Sequence, residues 1–171
     1  MYEIAGAANT VDPSQVPLNG LDHTMILRSL FVRGDEWVRW DVEPPASRVM
    51  AEDISGAPDP VYGFPTGIAR DTDLNAVGGV RFPDIEVGRA QFIAADFSIG
   101  PIPGLAGGRI DLACEPAPDG STRFPNHGSY VSRSVKQVNA LRKAGFLLDA
   151  DADVLKEQAA ESNVGQPGSC P

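Results

Sequence analysis

The sequence predicts an α/β fold with one core strand, followed by helices, a short antiparallel hairpin and long irregular loops. Three observations indicate this class: a short apolar run at residues 2–7, apolar residues at helical spacing in later stretches, and frequent turn residues between them. The chain has 171 residues, of which 18 are glycine and 15 are proline. That length is typical of one domain, and the glycine and proline content indicates many turns.

The first predicted element is a buried strand. Residues 2–7 read YEIAGA, and this short apolar run is stopped by Asn9 and Thr10. Native domains seldom begin inside their core, because chain termini are usually loose. A core strand that starts at the second residue therefore suggests that the sequence once continued upstream.

The second predicted element is an amphipathic helix. Asp22 is a suitable N-cap residue, and the helix must end before Pro44 because a residue that precedes proline avoids the helical region. Apolar side chains recur between these points at spacings of three and four residues, with one slip. They are Ile26, Leu30 and Trp37 in one series and Leu27, Phe31 and Val38 in the other.

The middle of the chain predicts a short antiparallel hairpin between segments that are rich in turns. Two extended runs, 76–87 and 90–99, are expected to pair around Gly88–Arg89. The first run contains Pro83, which cannot donate to a ladder of hydrogen bonds, so this run would lie at an edge.

The last third is predicted to be helical. Asn126 can cap a helix that ends at Gly145, and Asp149 can cap a final helix that runs to about Glu161. The apolar face of the first of these two helices consists of Tyr130, Val131, Val135, Val138 and Leu141. We expect residues 163–171 to form a flexible tail after a domain that spans residues 1–162.

Composition excludes several classes of protein. The chain has 14 basic and 23 acidic residues and a net charge of −9, which argues against a nucleic-acid binder. Its apolar runs are far shorter than the roughly 20 residues of a membrane span, and its first residues do not resemble a signal peptide. We therefore expect a cytoplasmic protein in which Cys114 and Cys170 are unpaired thiols.

Common catalytic and cofactor motifs are absent from the sequence. It contains no Gly-x-Ser-x-Gly turn, phosphate loop, dinucleotide fingerprint or His-Glu-x-x-His zinc motif. The acidic run at 149–153 begins like a calcium loop, but Val154 and Ala160 occupy the positions that need Gly and Glu. We therefore expect no cofactor and no bound metal.

Two histidines and one basic helix are the remaining candidates for function. His127 stands at a helix start and is expected to be structural, whereas His23 follows the first strand and its loop, where a catalytic histidine often lies. The basic residues of the helix that Asn126 caps indicate a solvated face, with a docking surface for an acidic partner as the alternative. These residues are Arg133, Lys136, Arg142 and Lys143.

Several blocks of sequence together resemble a known family. The blocks are YEIAGAA at 2–8, VEPPASRV at 42–49, GVRFPDIEV at 79–87, RFPNHGSYV at 123–131 and AGFLL at 144–148. In this order they resemble the C-terminal portion of the bacterial alpha/beta hydrolase domain-containing protein family. The resemblance covers about residues 1–162, so the single core strand would belong to an α/β-hydrolase-like sheet.

The resemblance implies a Ser-His-Asp/Glu triad of which this chain holds little. The nucleophile and the acid precede the histidine in that fold, so both would lie upstream of residue 1. The family's histidine follows the strand matched by residues 2–8, where this chain has Asn9. Because an asparagine side chain cannot take a proton from serine near neutral pH, Asn9 cannot be the general base. His23, fourteen residues further on, is the only nearby substitute.

Three functions remain open from the sequence. The chain is expected to be a hydrolase fragment that does not cleave esters alone. It would alternatively be an active carboxylic-ester hydrolase when paired with an N-terminal half, or a non-enzymatic interaction module. The expected partners are that half or a second copy of the chain, together with a small-molecule ester if the assembly is active.

Overall fold

The computed structural model describes residues 1–8, 19–94 and 107–170. In this part of the chain the elements, in order, are α1 (Thr24–Trp40), α2 (Pro83–Glu86), β1 (Ala90–Ile93), β2 (Gly108–Asp111), α3 (His127–Lys143) and α4 (Asp149–Glu161). Helices combined with a short antiparallel sheet and long loops agree with the predicted α/β class. None of the described helices has the length and apolar character that a membrane span requires.

The first segment forms a shorter extended structure than residues 2–7 predict. Tyr2 and Ile4 make isolated parallel bridges to Arg48 and Val80. The chain turns at Gly6, which has a φ of 73° and lies so close to Phe92 that a Cβ there would be 2.6 Å from the Phe92 Cβ. The turn and this close contact end the extended segment before residue 7.

The antiparallel sheet has a different second strand from the one predicted. β1 pairs with β2, with Ala90 opposite Asp111 and Phe92 opposite Arg109. The predicted pairing of 76–87 with 90–99 is therefore wrong, and residues 95–99 lie outside the described part. The physical reason is Pro83, whose fixed φ suits the first turn of a helix, so α2 interrupts the expected strand.

Helix α1 has the predicted bounds but not the burial that is typical of an amphipathic helix. The N-cap position is His23 and not the predicted Asp22, although the Asp22 carboxylate accepts a hydrogen bond from the Thr24 amide at 3.1 Å. Ile26 is fully buried, whereas Phe31 and Val38 are 80% and 84% exposed. An apolar stripe normally faces the core, but here only one of the two series reaches it.

Helices α3 and α4 pack against each other near the predicted positions. The Asn126 side chain accepts a hydrogen bond from the Ser129 amide at 2.8 Å, which confirms the predicted cap of α3. Asp149 does not cap α4: the N-cap position is Leu148, and the Asp149 carboxylate instead binds Arg142 at 3.0 Å. Asp149 thus lies inside the first turn, where its charge favours the helix dipole.

The end of the chain is joined to an earlier loop. Cys114 and Cys170 form a disulfide bond, so the expectation of two free thiols is wrong. The prediction assumed that a distant glycine- and proline-rich tail would leave Cys170 unpaired, but the tail folds back. Val164 is buried against α3 and α4, in a cluster that also contains Phe124 and Tyr130.

Candidate functional site

Of the two residues considered for the position of the catalytic base, the structure describes His23 but not Asn9. Asn9 lies outside the described residues. His23 occupies the N-cap position of α1 and is half-buried, and its side chain makes no capping hydrogen bond. Among the described residues no hydroxyl or carboxylate hydrogen-bonds to the His23 ring. The described part of the chain therefore does not assemble a nucleophile, base and acid around His23.

His127 is a structural residue in the described fold. Its Nδ1 lies 2.9 Å from the Val164 carbonyl oxygen, and its Nε2 lies 3.1 Å from the Ala160 carbonyl oxygen. The ring thus links the start of α3 to the end of α4 and to the segment that follows it. Because both ring nitrogens face backbone carbonyl oxygens, His127 has a structural position between two segments of the chain.

A cavity of about 280 Å³ lies where the start of α1, the sheet, α3 and α4 meet. Its lining includes apolar side chains, which we call the apolar wall: Leu21, Met25, Phe82, Phe92 and Leu155. It also includes polar side chains, which we call the polar wall: Asp22, Asp84, Arg89, Arg109, Tyr130, Ser134 and Gln158. A mostly apolar cavity with a few convergent polar groups is the usual form of a small-molecule site. His23 directly follows a lining residue but is not itself part of the described lining.

The charges on the polar side are only loosely paired. The Asp84 carboxylate lies 3.4 Å from the Arg89 guanidinium and 3.7 Å from that of Arg109. Arg109 also contacts Asp111, at 3.2 Å. Elsewhere in the chain, Arg123 and Asp73 approach to 2.7 Å. One carboxylate therefore serves two arginines at long range and leaves hydrogen-bonding capacity on both.

Tyr130 supplies a neutral hydroxyl to the same wall. Its side chain is 1% exposed, and Arg89 Nη1 donates a hydrogen bond to its oxygen at 3.2 Å. Burial, followed by the nearby Asp84 charge, raises the pKa of Tyr130 above its ordinary value, against smaller lowering effects of Arg89 and Ser134. The phenol therefore keeps its proton at neutral pH and can donate it to a hydrogen-bond acceptor.

Two residues of this wall carry buried polar atoms without a hydrogen-bond partner. Arg89 Nε and Ser134 Oγ are two of the three such side-chain atoms in the described part of the chain; Ser134 Oγ lies near enough to the Tyr130 oxygen to lower the pKa of the phenol, but without the full geometry of a hydrogen bond. Leaving a buried polar group unsatisfied costs about 1–3 kcal/mol. Such atoms are rare in native structures, and two of the three belong to residues that line this cavity.

Sequence reasoning missed this cavity, although one signal was present. The sequence predicts Arg89 in a hairpin turn, Tyr130 on the apolar face of a helix and Arg109 in a turn-rich segment. The residues at 108–111 read GRID, in which Arg109 and Asp111 alternate with smaller or apolar residues. Period-two alternation of this kind indicates a strand with one charged face, and it would have located the arginine.

Comparison with known proteins adds a family. The model of a family described as "Alpha/beta hydrolase domain" matches residues 2–157. The match covers most of the chain, so the protein belongs to the alpha/beta hydrolase domain family, in agreement with the resemblance found in its sequence. Neither the curated proteins nor the solved structures include a match to the chain.

Proposed function

We propose that this chain forms the part of an ester-hydrolase domain that follows the nucleophile, and that it is inactive until a nucleophile-bearing half completes its sheet. Family membership supplies the fold and the chemical class. The single observation that supports this incompleteness is an extended segment at residues 1–5, one edge of which pairs with no other segment in the described part of the chain.

The open edge lies along residues 1–5. Successive peptide groups of a strand point to opposite edges. On one edge, the Glu3 amide bonds to the Arg48 carbonyl at 2.9 Å and the Glu3 carbonyl accepts from the Val80 amide at 2.7 Å. On the other edge, the amides of Tyr2 and Ile4 pair with no strand in the described part of the chain. Parallel strands normally lie inside a sheet, so this edge is suited to receive another strand.

The exposed face of α1 supports the same partner. Leu27, Phe31 and Val38, which we call the α1 stripe, are spaced four and seven residues apart and therefore share one face of the helix. They are 50%, 80% and 84% exposed. Helices of parallel sheets cover the sheet with their apolar faces, and contiguous exposed apolar surface marks an interaction site. A sheet extended by a second half would offer the α1 stripe a surface to cover.

The chemistry of the assembly would be cleavage of a carboxylic ester. The nucleophile and the acid would come from the partner half, while this chain would supply the base from the loop that follows its first segment. His23 is the base that we propose, because Asn9 cannot accept a proton from serine near neutral pH. A partner of another kind on the α1 stripe would make the chain a non-enzymatic interaction module, which is the alternative.

Reconstitution tests the proposal. The chain would be mixed with a separately produced segment of another family member that carries the Gly-x-Ser-x-Gly motif, and hydrolysis of p-nitrophenyl butyrate would be followed. We expect turnover by the mixture and none by either part. Phe31→Asp should abolish it, whereas Ile54→Asp should not, because Ile54 is 92% exposed and lies outside α1. An inactive mixture, or equal effects of the two variants, would contradict the proposal.

The identity of the base is tested in the same mixture. His23→Ala should remove the activity, and Asn9→Ala should leave it unchanged. The opposite pattern would refute the role of His23. Asn9→His should increase turnover if residue 9 aligns with the histidine of the family, and no gain would argue against that alignment.

The disulfide also bears on where the chain works. Disulfides persist in oxidising compartments and are rare in the cytosol, so we propose an oxidising compartment in place of the cytoplasmic location expected from the sequence. Alkylation of freshly lysed cells should leave Cys114 and Cys170 unmodified. Complete alkylation of both thiols without prior reduction would contradict this location.

A further inference from the structure

We propose that the cavity lined by Arg89, Arg109 and Tyr130 binds a small amphipathic monocarboxylate, an acid with a short aryl or alkyl body. This site is independent of the proposed hydrolase assembly, because its lining residues all come from this chain. It does not require His23, a nucleophile or a partner half.

The volume of the cavity and its apolar wall indicate the size and the apolar character of the ligand. Drug-sized ligands occupy cavities of about 300–1,000 Å³, and this one, at about 280 Å³, lies just below that range. The apolar wall contains Met25, Phe82 and Phe92, of which both phenylalanines are almost fully buried. A small ring or short chain would remove this wall from water, and apolar burial of that kind is favourable.

The polar wall selects the head group. A guanidinium presents a planar fork of donors that matches a carboxylate. Arg89 reaches Asp84 only at 3.4 Å, and one nitrogen of Arg109 serves both Asp84, at 3.7 Å, and Asp111, at 3.2 Å, so both guanidiniums have donors left for a further carboxylate. Tyr130 already accepts from Arg89, which leaves its own proton to be donated to the guest.

The charges of the lining favour a monoanion. Two arginines and two aspartates, Asp22 and Asp84, line the cavity. Both guanidiniums attract an anion and both carboxylates repel it, and the repulsion is about twice as strong for a phosphate dianion as for a ligand with one negative charge. A neutral amide of the same shape would lack the charge-assisted bonds, which are about twice as strong as neutral ones.

The buried atoms without partners fit the same ligand. Arg89 Nε is only a donor, and the Ser134 hydroxyl can also donate. A carboxylate is an acceptor with about four lone-pair sites. With a slight shift of Arg89 and Ser134, a carboxylate ligand would accept hydrogen bonds from both side chains. A ligand that carries only donors could not accept them.

Calorimetric titration of the full chain tests this inference. Sodium benzoate, benzamide and inorganic phosphate would be compared at one pH and ionic strength. We expect saturable binding of benzoate, with benzamide and phosphate at least tenfold weaker. Equal binding of benzoate and benzamide, binding of phosphate as tight as that of benzoate, or no binding of benzoate would each overturn the proposal.

Variants locate the site within the chain. Arg109→Gln should weaken benzoate binding about tenfold or more, because it removes the charge-assisted hydrogen bonds of one guanidinium. Tyr130→Phe should weaken it severalfold through loss of one donor. Arg39→Gln is the matched control, since Arg39 is exposed on α1, where it pairs with Asp35 and does not line the cavity described above. Thermal melts confirm that each variant is folded, and unchanged binding by a folded Arg109→Gln variant would refute the assignment.

Discussion

Arg123 provides the sharpest test of how the long loops of this fold are held together. Its guanidinium, 6% exposed, binds both carboxylate oxygens of Asp73, at 2.7 and 2.9 Å. It also donates to the backbone carbonyls of Gly88, Pro116 and Glu115, at 2.8, 3.1 and 3.3 Å. A single side chain thus joins three segments that have few regular backbone hydrogen bonds of their own.

The cost of removing this side chain follows from those contacts. Arg123→Met keeps an apolar stem but leaves Asp73, 15% exposed, without its cation. Breaking a buried ion pair by removing one partner costs about 3–5 kcal/mol. We therefore expect the free energy of unfolding to fall by about 4 kcal/mol, measured by urea denaturation followed by circular dichroism.

Two further variants decide whether the reasoning is correct. Arg123→Met combined with Asp73→Asn should recover part of the loss, because it removes the uncompensated charge. Arg39→Met breaks an exposed pair, 63% and 45% accessible, and should change stability by no more than about 0.5 kcal/mol. A loss of less than about 1 kcal/mol for Arg123→Met, or one equal to that for Arg39→Met, would refute the account.

Three other predictions concern stability. Burial of Asp59 would raise its pKa, but hydrogen bonds from neighbouring groups and the charge of Arg70 lower it overall. The stability that Asp59 contributes should therefore be complete above its unfolded pKa of about 3.9 and be lost as pH falls through the lower folded value. The urea midpoints of the wild type and of Asp59→Asn should therefore converge at low pH. A difference between the two midpoints that does not change with pH would contradict this. Reduction of Cys114–Cys170, which are 56 residues apart, should lower the free energy of unfolding by about 4 kcal/mol, seen as a lower melting temperature with a reductant; an unchanged melt would oppose it. Asn126→Ala should cost about 1 kcal/mol through loss of the α3 cap, and no change in the urea midpoint would argue against that cap.

The helices of this fold were predictable because their signals are local. Asn126 caps α3 as the sequence indicates, α1 begins within two residues of the predicted cap Asp22, and Gly145 follows α3 with a φ of 82°. Apolar spacing of three and four residues located the same elements. Spacing alone, however, cannot say whether an apolar stripe is covered, and Phe31 shows that it need not be.

The sheet and the cavity were not predictable because they depend on distant segments. Fourteen residues separate Ile93, the last residue of β1, from Gly108, the first residue of β2, whereas a typical hairpin loop has about two to five. Arg89, Arg109 and Tyr130 come together only when that pairing and the packing of α3 are known. No local pattern in the sequence encodes such a juxtaposition.

The central claim is that the active site is incomplete in this chain. A fluorophosphonate probe reacts with activated serines, and intact-mass spectrometry would detect one adduct on the chain. The account predicts no adduct and no hydrolysis of p-nitrophenyl butyrate by the isolated, folded protein. A single adduct on one of its own serines, together with turnover that follows the protein through size-exclusion chromatography, would contradict it.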